Sequence, residues 1–518
     1  MEILDNRALI VNTKYPNRIT EAITKSKVIK KDHELTKVLV NWGFEEAQKL
    51  NELRFKNVPS PIERDYDWPG KHVPMKHQKT TASFLSITKR GFCFNEQGTG
   101  KTASAIWAAD YLLNKGIIKK ILVVCPLSIM FSAWEADLFK FAIHRTVNVA
   151  YGSRKKRQKV VEDGAEFTII NYDGVEIIEE DIKKANFDLI IIDEANAYKS
   201  VTTKRWKAMN KLVTADTWLW LMTGTPAAQS PVDAFGLAKL CNPTRCPQFF
   251  GRFRDMVMIN VGRFKWIPRT TAEDTVFRIL QPAIRFAKAE CIDLPDVTHV
   301  SRNAPLTPQQ NKYYKELKKH MFINAAGEDI SSVNAAVNLN KLLQISGGAV
   351  YSDKKETIQF DVSKRLNVVR EVIEEASNKV LVFVPFKHTI NLLKEYLDAK
   401  HISNAVINGD VTVRKRSAIF KQFQETDSPT VLIIQPQAAS HGVTLTAADT
   451  IVWYAPVTSL ETYLQANARI DRPGQKSAMT IVHIGGSSVE KRLYDMLQGK
   501  LKTHEKLIDL YKKELDID

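Results

Sequence analysis

A glycine-rich run at residues 95–102 constrains the fold of this chain more than any other stretch. It reads Asn-Glu-Gln-Gly-Thr-Gly-Lys-Thr, follows the apolar stretch 91–94 and leads into an alanine-rich stretch at 103–109. A strand, a glycine-rich turn and a helix that begins at Lys-Thr are the surroundings that a phosphate-binding P-loop requires. The sequence therefore predicts a nucleotide site. A glycine-rich turn that binds no nucleotide is the alternative.

The residues of this run suit a polyphosphate. Gly98, Thr99 and Gly100 lie where the backbone must curl so that its N–H groups, with the helix N-terminus, surround the phosphates. Lys101 brings a point charge to the outer phosphates, and the Thr102 hydroxyl is a ligand for Mg²⁺. Gln78, on a predicted helix ahead of the run, offers both a donor and an acceptor to an adenine edge.

The overall charge points to a polyanionic partner. The 518 residues, enough for two to four domains, carry a net charge of +16 and a pI near 9.3, while the charged fraction of 25% is ordinary. Nucleic acid is the first interpretation of such an excess and an anionic membrane the second. A diffuse basic surface without a partner is the alternative.

The apolar runs and the cysteines indicate the compartment. No run is long enough for a membrane span, and the start of the chain is no signal peptide. The five cysteines are scattered and odd in number, which favours buried thiols in a reducing compartment. We expect a cytoplasmic protein, or a nuclear one in a eukaryote.

Four short apolar runs around and after the P-loop helix predict a parallel α/β sheet. They lie at 120–126, 167–172, 188–196 and 218–226, separated by helical segments. The third ends in Asp193 and Glu194, which places two carboxylates at the edge where a parallel sheet collects its ligands. Asp193 suits Mg²⁺ and Glu194 suits orienting the attacking water. A helix N-cap is the alternative for this pair.

A second α/β unit without a P-loop is predicted from residue 379 onward, with strands near 379–384, 404–407, 430–434, 450–454 and 480–484. Within it, Gln465, Arg469 and Arg472 are spaced to share one face of a helix. Arginines of this kind can neutralise charge on a transferred phosphoryl group. Surface ion pairs are the alternative.

The remaining segments carry weaker patterns. Residues 35–53 have the apolar spacing of an amphipathic helix, and residues 17–27 also suit a helix. The basic run 153–159 predicts a solvated helix start, with phosphate contact or a nuclear signal as alternatives. Residues 227–378 break the α/β rhythm, and aromatic and basic side chains interleave at 249–254 and 263–266.

The ordered set of segments resembles the Snf-type branch of the superfamily-two helicases and translocases. The matching segments are Asn95–Thr102, Val123–Leu127 with Trp134, Asp193–Asn196, Leu221–Pro226, Lys379–Phe386, Gly442–Asp449 and Gln465–Gln475, then Ile284–Pro295 and Leu306 with Gln309 and Tyr313. The resemblance implies ATP and Mg²⁺ as cofactors, nucleotide contacts from Gln78 and Gln465, and two arginine fingers, Arg469 and Arg472.

Three positions depart from the pattern of that branch. Asn196 stands where His is more usual, Arg285-Phe286 stands where two arginines are usual, and residues 439–442 replace a more glycine-rich run. The first departure puts in doubt how hydrolysis couples to the second lobe. The last puts in doubt the DNA contacts of that run.

The resemblance also implies an architecture of two RecA-like parallel-sheet lobes, a helical insertion and a small N-terminal α+β segment. We expect an N-terminal domain at 1–70, similar to the HARP-type substrate-recognition module, and lobe 1 at 71–228. We expect the insertion at 229–375, lobe 2 at 376–490 and a C-terminal helix at 491–518.

The expected activity is that of a DNA-dependent ATPase. It would drive a monomeric translocase on double-stranded or branched DNA. A strand-separating DNA or RNA helicase and a nucleotide-gated scaffold are the alternatives.

Overall fold

The computed structural model describes residues 1–31, 35–227, 230–262, 265–291, 293–325, 332–351, 357–438 and 443–499. The chain folds as two compact units, Met1–Cys291 and Ile292–Asp518. Four features expected from the sequence lie outside the described residues: the pair 263–264, the run 439–442 that includes Gly442, Ile292 within the segment 284–295, and the chain beyond 499. No helix in the described ranges is long and apolar enough to cross a bilayer.

Unit 1 begins with a small α+β module. Its four strands form an antiparallel sheet in the order β1-β2-β4-β3. Three helices accompany the strands in this part of the chain. The elements are β1 (Glu2–Leu4), β2 (Ala8–Thr13), α1 (Pro16–Ala22), β3 (Ser26–Lys31), β4 (Thr36–Asn41), α2 (Phe44–Glu52) and α3 (Ile62–Asp65).

The helix predicted over residues 35–53 is wrong in its first half, which is strand β4. Val38 and Val40 are buried on one face of that strand. This alternation of buried and less buried residues extends over too few residues to be recognised in the sequence. Gly43, in an extended conformation, then separates the strand from α2. The helix predicted over 17–27 also ends early, because β3 begins at Ser26.

The body of unit 1 is a seven-stranded sheet in the order β13-β5-β10-β9-β6-β8-β7, with every pairing parallel. The strands are β5 (Arg90–Cys93), β6 (Ile121–Cys125), β7 (Val147–Ala150), β8 (Phe167–Asn171), β9 (Leu189–Asp193), β10 (Trp218–Met222) and, from the end of the unit, β13 (Ala283–Ile284). The helices are α4 (Lys76–Ile87), α5 (Lys101–Asn114), α6 (Ala136–Phe141), α7 (Arg154–Glu162), α8 (Tyr172–Ile177), α9 (Glu179–Ala185), α10 (Lys204–Leu212) and α11 (Ala234–Cys241). The five strands predicted from apolar runs are confirmed.

Both faces of this sheet are buried, which explains why its strands read as unbroken apolar runs. In β9, Ile190 and Ile192 join one hydrophobic cluster, while Leu189 and Ile191 join the cluster on the opposite face. The side chains of β6 alternate between the same two clusters. The only charged residue of β9, Asp193, stands at its carboxyl end.

Unit 1 closes with a mixed segment. It contains an antiparallel hairpin, and its last strand pairs with β5 at the sheet edge. The elements are α12 (Phe250–Val257), β11 (Met258–Gly262), β12 (Lys265–Pro268), α13 (Ala272–Ile279), β13 (Ala283–Ile284) and α14 (Lys288–Cys291).

Unit 2 has a six-stranded parallel sheet in the order β14-β21-β20-β17-β19-β18 and a short hairpin. The strands predicted from residue 379 onward are confirmed. The elements are β14 (Val297–Asn303), α15 (Pro308–Ala325), α16 (Ser332–Gly347), β15 (Ala349–Tyr351), β16 (Thr357–Gln359), α17 (Ser363–Glu375), β17 (Lys379–Phe383), α18 (Lys387–Ala399), β18 (Asn404–Ile407), α19 (Val413–Glu425), β19 (Val431–Ile434), β20 (Ala448–Trp453), α20 (Leu460–Asn467), β21 (Met479–Gly485) and α21 (Ser488–Leu497). With the sheet of unit 1, this makes the chain an α/β protein built on two parallel sheets.

A buried ion pair ties the sheet of unit 2 to its flanking helices. Arg365 donates through two nitrogens to the carboxylate of Glu490, at 2.8 and 2.9 Å, and also to the carbonyl of Tyr454 at 2.6 Å. Both charged side chains are almost fully buried. Burial of this kind is tolerated only because each charge has its partner.

Candidate nucleotide site

The glycine-rich run forms the turn between β5 and α5 that the sequence predicts. Gly98 and Gly100 have φ of 84° and 81°, in the left-handed region that favours glycine. Gly100 immediately precedes the first residue of α5. A Cβ atom at Gly100 would lie 2.1 Å from Nε2 of Gln78, so the turn has no room for a side chain there.

The lysine of the turn is held by backbone carbonyls of the same run. Nζ of Lys101 donates to the carbonyl oxygens of Asn95 and Glu96, at 2.8 and 3.1 Å. Its charge also acts on Asp193, whose carboxylate it favours. These bonds hold the ammonium group of Lys101 against the first two residues of the glycine-rich run.

Helix α4 contacts the turn through two adjacent side chains. Nε2 of His77 donates to the carbonyl of Thr99 at 2.8 Å, and because a carbonyl only accepts, that nitrogen carries the proton. Nε2 of Gln78 donates to the same oxygen at 3.3 Å, while its Oε1 accepts from the N–H of Met75 at 3.0 Å. Gln78 therefore lies against the P-loop, as its position in the sequence predicts.

A second segment, residues 282–288, is hydrogen-bonded to β5 and to the start of the P-loop; we call it the seam. The N–H groups of Phe92, Phe94 and Glu96 donate to carbonyls of the seam at 2.8–3.0 Å. Oδ1 of Asn95 accepts from the N–H of Phe286 and Oε2 of Glu96 accepts from the N–H of Lys288, both at 3.0 Å. The P-loop thus forms the end of a two-stranded ladder.

The buried carboxylate of Asp193 stands at the end of β9. Its Oδ2 accepts from Nε1 of Trp134 at 2.9 Å, and its Oδ1 accepts from the N–H of Glu194 at 2.9 Å. Burial raises the pKa of Asp193 above its ordinary value, and the charge of Lys101 and these two hydrogen bonds oppose that shift. Trp134 lies in a π-helical turn, Met130–Glu135.

The neighbouring carboxylate, Glu194, sits on an unusual backbone. Its φ is 47°, in the left-handed region, which non-glycine residues rarely adopt. The hydroxyl of Tyr172 donates to the carbonyls of Asp193 and Glu194, at 2.7 and 3.2 Å, and so fixes this turn. Asn196 donates to the carbonyl of Thr225 at 2.7 Å, which joins the turn to the loop after β10.

The sheet register brings the P-loop and the carboxylates to one edge. β10 lies between β5 and β9, and Met222 at its end pairs with both Cys93 and Asp193. Two strand spacings correspond to roughly 10 Å. Within unit 1, therefore, the lysine of the P-loop and the carboxylate of Asp193 converge as the apolar runs predict.

In unit 2, the helix predicted over residues 465–472 is wrong beyond its start. Helix α20 ends at Asn467, so Gln465 is helical while Arg469 and Arg472 follow in a turn. Pro473 disfavours a helical conformation for Arg472, the residue that precedes it, so the helix could not have continued through Arg472. The three side chains therefore do not share a helix face.

The turn itself is well bonded. NH1 of the buried Arg469 donates to the carbonyl of Val443 at 3.1 Å. Arg472 is half-buried, and its Nε donates to the carbonyl of Ala468 at 2.7 Å. Nε2 of the buried Gln475 donates to the carbonyl of Ala448 at 2.8 Å, which anchors the end of the turn to β20.

Sequence reasoning assigned no role to four residues that build the site. Asn95 and Glu96 hold the seam, His77 holds Thr99, and Trp134 holds Asp193. Trp134 and Asp193 are 59 residues apart in the chain, so no local pattern connects them. The sequence feature that could have revealed Asn95 and Glu96 is their position between a strand and the first glycine, where an amide and a carboxylate need hydrogen-bond partners.

The family of the chain follows from comparison with known proteins. The SNF2-related domain family matches residues 37–359, which is more than half of the chain. The chain belongs to the SNF2-related family. In this SNF2-related chain the helicase conserved C-terminal domain follows at residues 364–474. Together they make it a SNF2-type, helicase-like ATPase core, as the resemblance implied.

Individual relatives agree with the family. The chain is 26% identical over 443 residues to the chromodomain-helicase-DNA-binding protein 1-like of Mus musculus, covering 80% of this chain and 47% of that protein. It is 24% identical over 432 residues to an ATP-dependent helicase of Mycoplasma genitalium, covering 81% and 40%. It is 25% identical over 429 residues to a putative protein of Acyrthosiphon pisum secondary endosymbiont phage 1, covering 78% and 90%.

This chain spans less than half the length of the first curated relatives that it matches. The solved SWI2/SNF2 ATPase core of Sulfolobus solfataricus, in complex with dsDNA, has a TM-score of 0.42 and 21% identity, covering 86% of this chain and 96% of that one.

Proposed function

We propose that this SNF2-related chain is an ATP-dependent translocase or remodeller of double-stranded DNA. It would act on forks or branched DNA in replication, repair or recombination. The observation that carries the proposal is the convergence, at one sheet edge, of the P-loop lysine and the buried Asp193, on whose charge that lysine acts. A nucleotide-gated scaffold that does not depend on hydrolysis would have no need for both Glu194 and Arg472.

The residues of the turn fit a triphosphate with its metal. Gly98, Thr99 and Gly100 would direct backbone N–H groups at the phosphates, because their left-handed glycines curl the chain around an enclosed space. The hydroxyl of Thr102 and the carboxylate of Asp193 would hold Mg²⁺, whose hard charge suits these oxygens. When bound, Mg²⁺ neutralises negative charge on the phosphate oxygens.

Lys101 would exchange one set of partners for another. In its hydrogen bonds to the carbonyls of Asn95 and Glu96, the donating ammonium group is charged but the accepting oxygens are not. A phosphate oxygen is a stronger acceptor for the same ammonium group, so nucleotide binding would draw Nζ away from these carbonyls. Gln78 would contact the adenine, and Gln465 would add a nucleotide contact from unit 2.

Hydrolysis would then depend on a carboxylate and on two arginines. Glu194 would orient the attacking water and accept its proton, as a carboxylate next to the metal site can. Arg469 and Arg472 would neutralise the charge that develops on the transferred phosphoryl group. Cycles of binding and hydrolysis would advance a monomeric motor along a phosphate backbone, whose grip is sequence-tolerant and sensitive to salt.

The first test is the variant Lys101→Ala, with Lys119→Ala as control, because Lys119 is exposed and lies beyond the end of helix α5. We expect Lys101→Ala to abolish ATP turnover and leave duplex binding intact, while Lys119→Ala keeps both. Full turnover by purified Lys101→Ala would overturn the proposal.

The second test identifies the nucleic acid. Steady-state ATP hydrolysis is measured at matched salt without nucleic acid and with duplex DNA, single-stranded DNA, branched DNA or RNA. Stimulation by plain duplex is the expected result, with a further increase on branched DNA for fork or junction work. Stimulation by single strands or RNA alone would instead establish a strand-separating helicase.

A further inference from the structure

The backbone of Glu194 adopts a conformation that is unfavourable for a residue with a Cβ atom. Its φ and ψ are 47° and 53°, in the left-handed region, where glycine would meet no steric penalty. Strain of this kind persists only where surrounding contacts hold it, and it is concentrated at functional sites. The contacts that hold this turn therefore bear on what the carboxylate of Glu194 does.

One hydroxyl bridges the two carbonyls of the turn. Oη of Tyr172 donates to the carbonyl oxygen of Asp193 at 2.7 Å and to that of Glu194 at 3.2 Å. Because the hydroxyl has a single proton, the two acceptors share it, and the shorter bond is to Asp193. This bridge fixes the peptide that joins the two carboxylate residues.

Tyr172 reaches the turn from a different strand. It is the first residue of α8, directly after β8, and β6 lies between β8 and β9. The register of β6 with both neighbours brings the ends of β8 and β9 to one rim. Two strand spacings, roughly 10 Å, separate these ends, so the contact requires a long side chain.

The hydroxyl of Tyr172 stays protonated beside two carboxylates. Burial, and then the negative charges of Glu194 and Asp193, raise the pKa of Tyr172 well above its ordinary value. The hydroxyl is therefore a hydrogen-bond donor at neutral pH. The effect of Glu194 on this pKa also places the carboxylate charge of Glu194 within electrostatic reach of the hydroxyl.

Tyr172 is itself held by its neighbours. Just before it, Oδ1 of Asn171 accepts from NH1 of the buried Arg157 at 2.8 Å. Just after it, a Cβ atom at Gly174 would clash with the guanidinium of Arg157, so α8 packs closely onto that group. The ring of Tyr172 packs edge-on against Tyr198, with centroids 5.7 Å apart. A side chain that positions another must be held in this way.

The second tyrosine of this cluster provides a comparison. Tyr198 lies four residues after Glu194 and is fully buried, but its hydroxyl makes no hydrogen bond to any residue that the structure describes. The two rings share one packed cluster, and they differ in what their hydroxyls bind. Replacing Tyr198 by phenylalanine would therefore remove a hydroxyl without breaking a hydrogen bond.

We infer that Tyr172 is a positioning residue for ATP hydrolysis, because its hydroxyl holds the left-handed turn that directs the carboxylate of Glu194. This role rests on the proposed function, in which Glu194 orients the attacking water. The hydroxyl is occupied by the two carbonyls, so Tyr172 acts on the rate of hydrolysis and not on nucleotide binding. A catalytic group misplaced by about 1 Å can lower a rate by about 100-fold.

The test is Tyr172→Phe, with Tyr198→Phe as the matched control. ATP turnover is measured in the presence of the nucleic acid that stimulates the wild-type protein most. We expect Tyr172→Phe to lower kcat by about 10- to 100-fold and to keep KM for ATP and the affinity for Mg·ADP within about twofold of wild type. Tyr198→Phe should keep all three values. An unchanged kcat in Tyr172→Phe, or an equal loss in Tyr198→Phe, would overturn the inference.

A double-mutant cycle determines whether Tyr172 acts through Glu194. Glu194→Gln alone should lower kcat by about 100- to 10,000-fold, a loss that single-turnover hydrolysis with enzyme in excess can measure. Tyr172→Phe should then cause no further loss in the Glu194→Gln background, because the group that it positions is already absent. A further loss of about 10- to 100-fold in that background would show a role independent of Glu194 and overturn the inference.

Hydrogen exchange reports the turn without any turnover. The amide of Ala197 donates to the carbonyl of Glu194 at 3.2 Å. We expect this amide to exchange about 2- to 10-fold faster in Tyr172→Phe, the effect of losing one ordinary hydrogen bond, and at the wild-type rate in Tyr198→Phe. Unchanged exchange in Tyr172→Phe would overturn the inference. Absence of ATP turnover from the wild-type protein with every nucleic acid would overturn the proposed function and this inference together, whereas wild-type turnover that Tyr172→Phe leaves unchanged would overturn this inference alone.

Discussion

The contact between Gly100 and Gln78 makes a quantitative prediction about the P-loop. The change Gly100→Ala places a side chain on a left-handed backbone, at φ of 81°, which costs about 1–2 kcal/mol. It also places Cβ 2.1 Å from Nε2 of Gln78, so that amide must move. Movement breaks its bonds to Thr99 and Met75, each worth about 0.5–1.5 kcal/mol. The sum is about 2–5 kcal/mol of local stability.

The two parts of this cost can be separated by a double-mutant cycle. In a Gln78→Ala background the clash is absent, and Gly100→Ala should cost only the backbone part, about 1–2 kcal/mol. Gly116→Ala is the matched control, because Gly116 has φ of 68° and open space around its Cβ position. Gly116→Ala should change the local stability by the same amount in the wild-type and the Gln78→Ala backgrounds.

Hydrogen exchange of the Ser104 amide is the appropriate assay, because that amide donates to the carbonyl of Gly100 at 3.1 Å and its protection reports local opening of the turn. A global unfolding measurement would be less suitable, since a chain of two units need not unfold in a single two-state step. Since 1.4 kcal/mol corresponds to a factor of ten, Gly100→Ala should lower protection by roughly 30- to 4,000-fold alone and by about 5- to 30-fold in the Gln78→Ala background. Equal losses in the two backgrounds would refute the packing argument.

Three further predictions follow from buried groups. Trp134→Phe removes a hydrogen-bond donor to Asp193, so the pKa of that carboxyl should rise further. Because the proposed Mg²⁺ site needs the carboxylate form, the loss of Mg·ADP binding on acidification should begin at a higher pH than in the wild type. An unshifted pH profile of binding would contradict this. Glu490→Gln leaves the buried Arg365 without its charge partner and should cost about 3–5 kcal/mol in urea unfolding, whereas Arg365→Met/Glu490→Leu should recover most of that loss. Burial raises the pKa of Cys93 to about 11, so this thiol should resist an aromatic disulfide reagent at pH 8 until the protein unfolds.

The sign of the Asp193 effect on stability follows from the same shift. The pKa of this carboxyl is higher in the folded chain than in the unfolded chain, so the folded chain binds the proton more tightly. Its contribution to stability is therefore fully present below the unfolded pKa and is lost as pH rises through the folded value. Burial of the ionised form therefore opposes folding, and the hydrogen bond that Trp134 donates to Oδ2 partly offsets this cost.

The parts of the fold that could be predicted from sequence are those in which burial leaves a local pattern. Strands covered on both faces need apolar side chains at every position, so β6, β8, β9 and β10 appear as short apolar runs. Because parallel strands end at one edge, the carboxylate that follows Ile192 could be placed near the P-loop from the order of these runs alone.

Prediction failed where local pattern and tertiary contact disagree. Residues 36–41 form a strand because their neighbours complete a sheet, although their spacing also suits a helix. Arg469 leaves the helix early because Pro473 and the bond between Leu445 and the Arg469 carbonyl favour a turn. The seam could not be foreseen, since the amide of Phe286 binds a side chain 191 residues earlier.

The seam also determines where this protein can be divided. A gene fragment that ended after β10 would encode the glycine-rich run, its lysine and both carboxylates, and in sequence it would look complete. It would lack β13, and the N–H groups of Phe92, Phe94 and Glu96 would lose their carbonyl partners. The smallest autonomous nucleotide-binding fragment is therefore expected to extend to Cys291, more than sixty residues past Pro226, the last residue of the segment that follows β10.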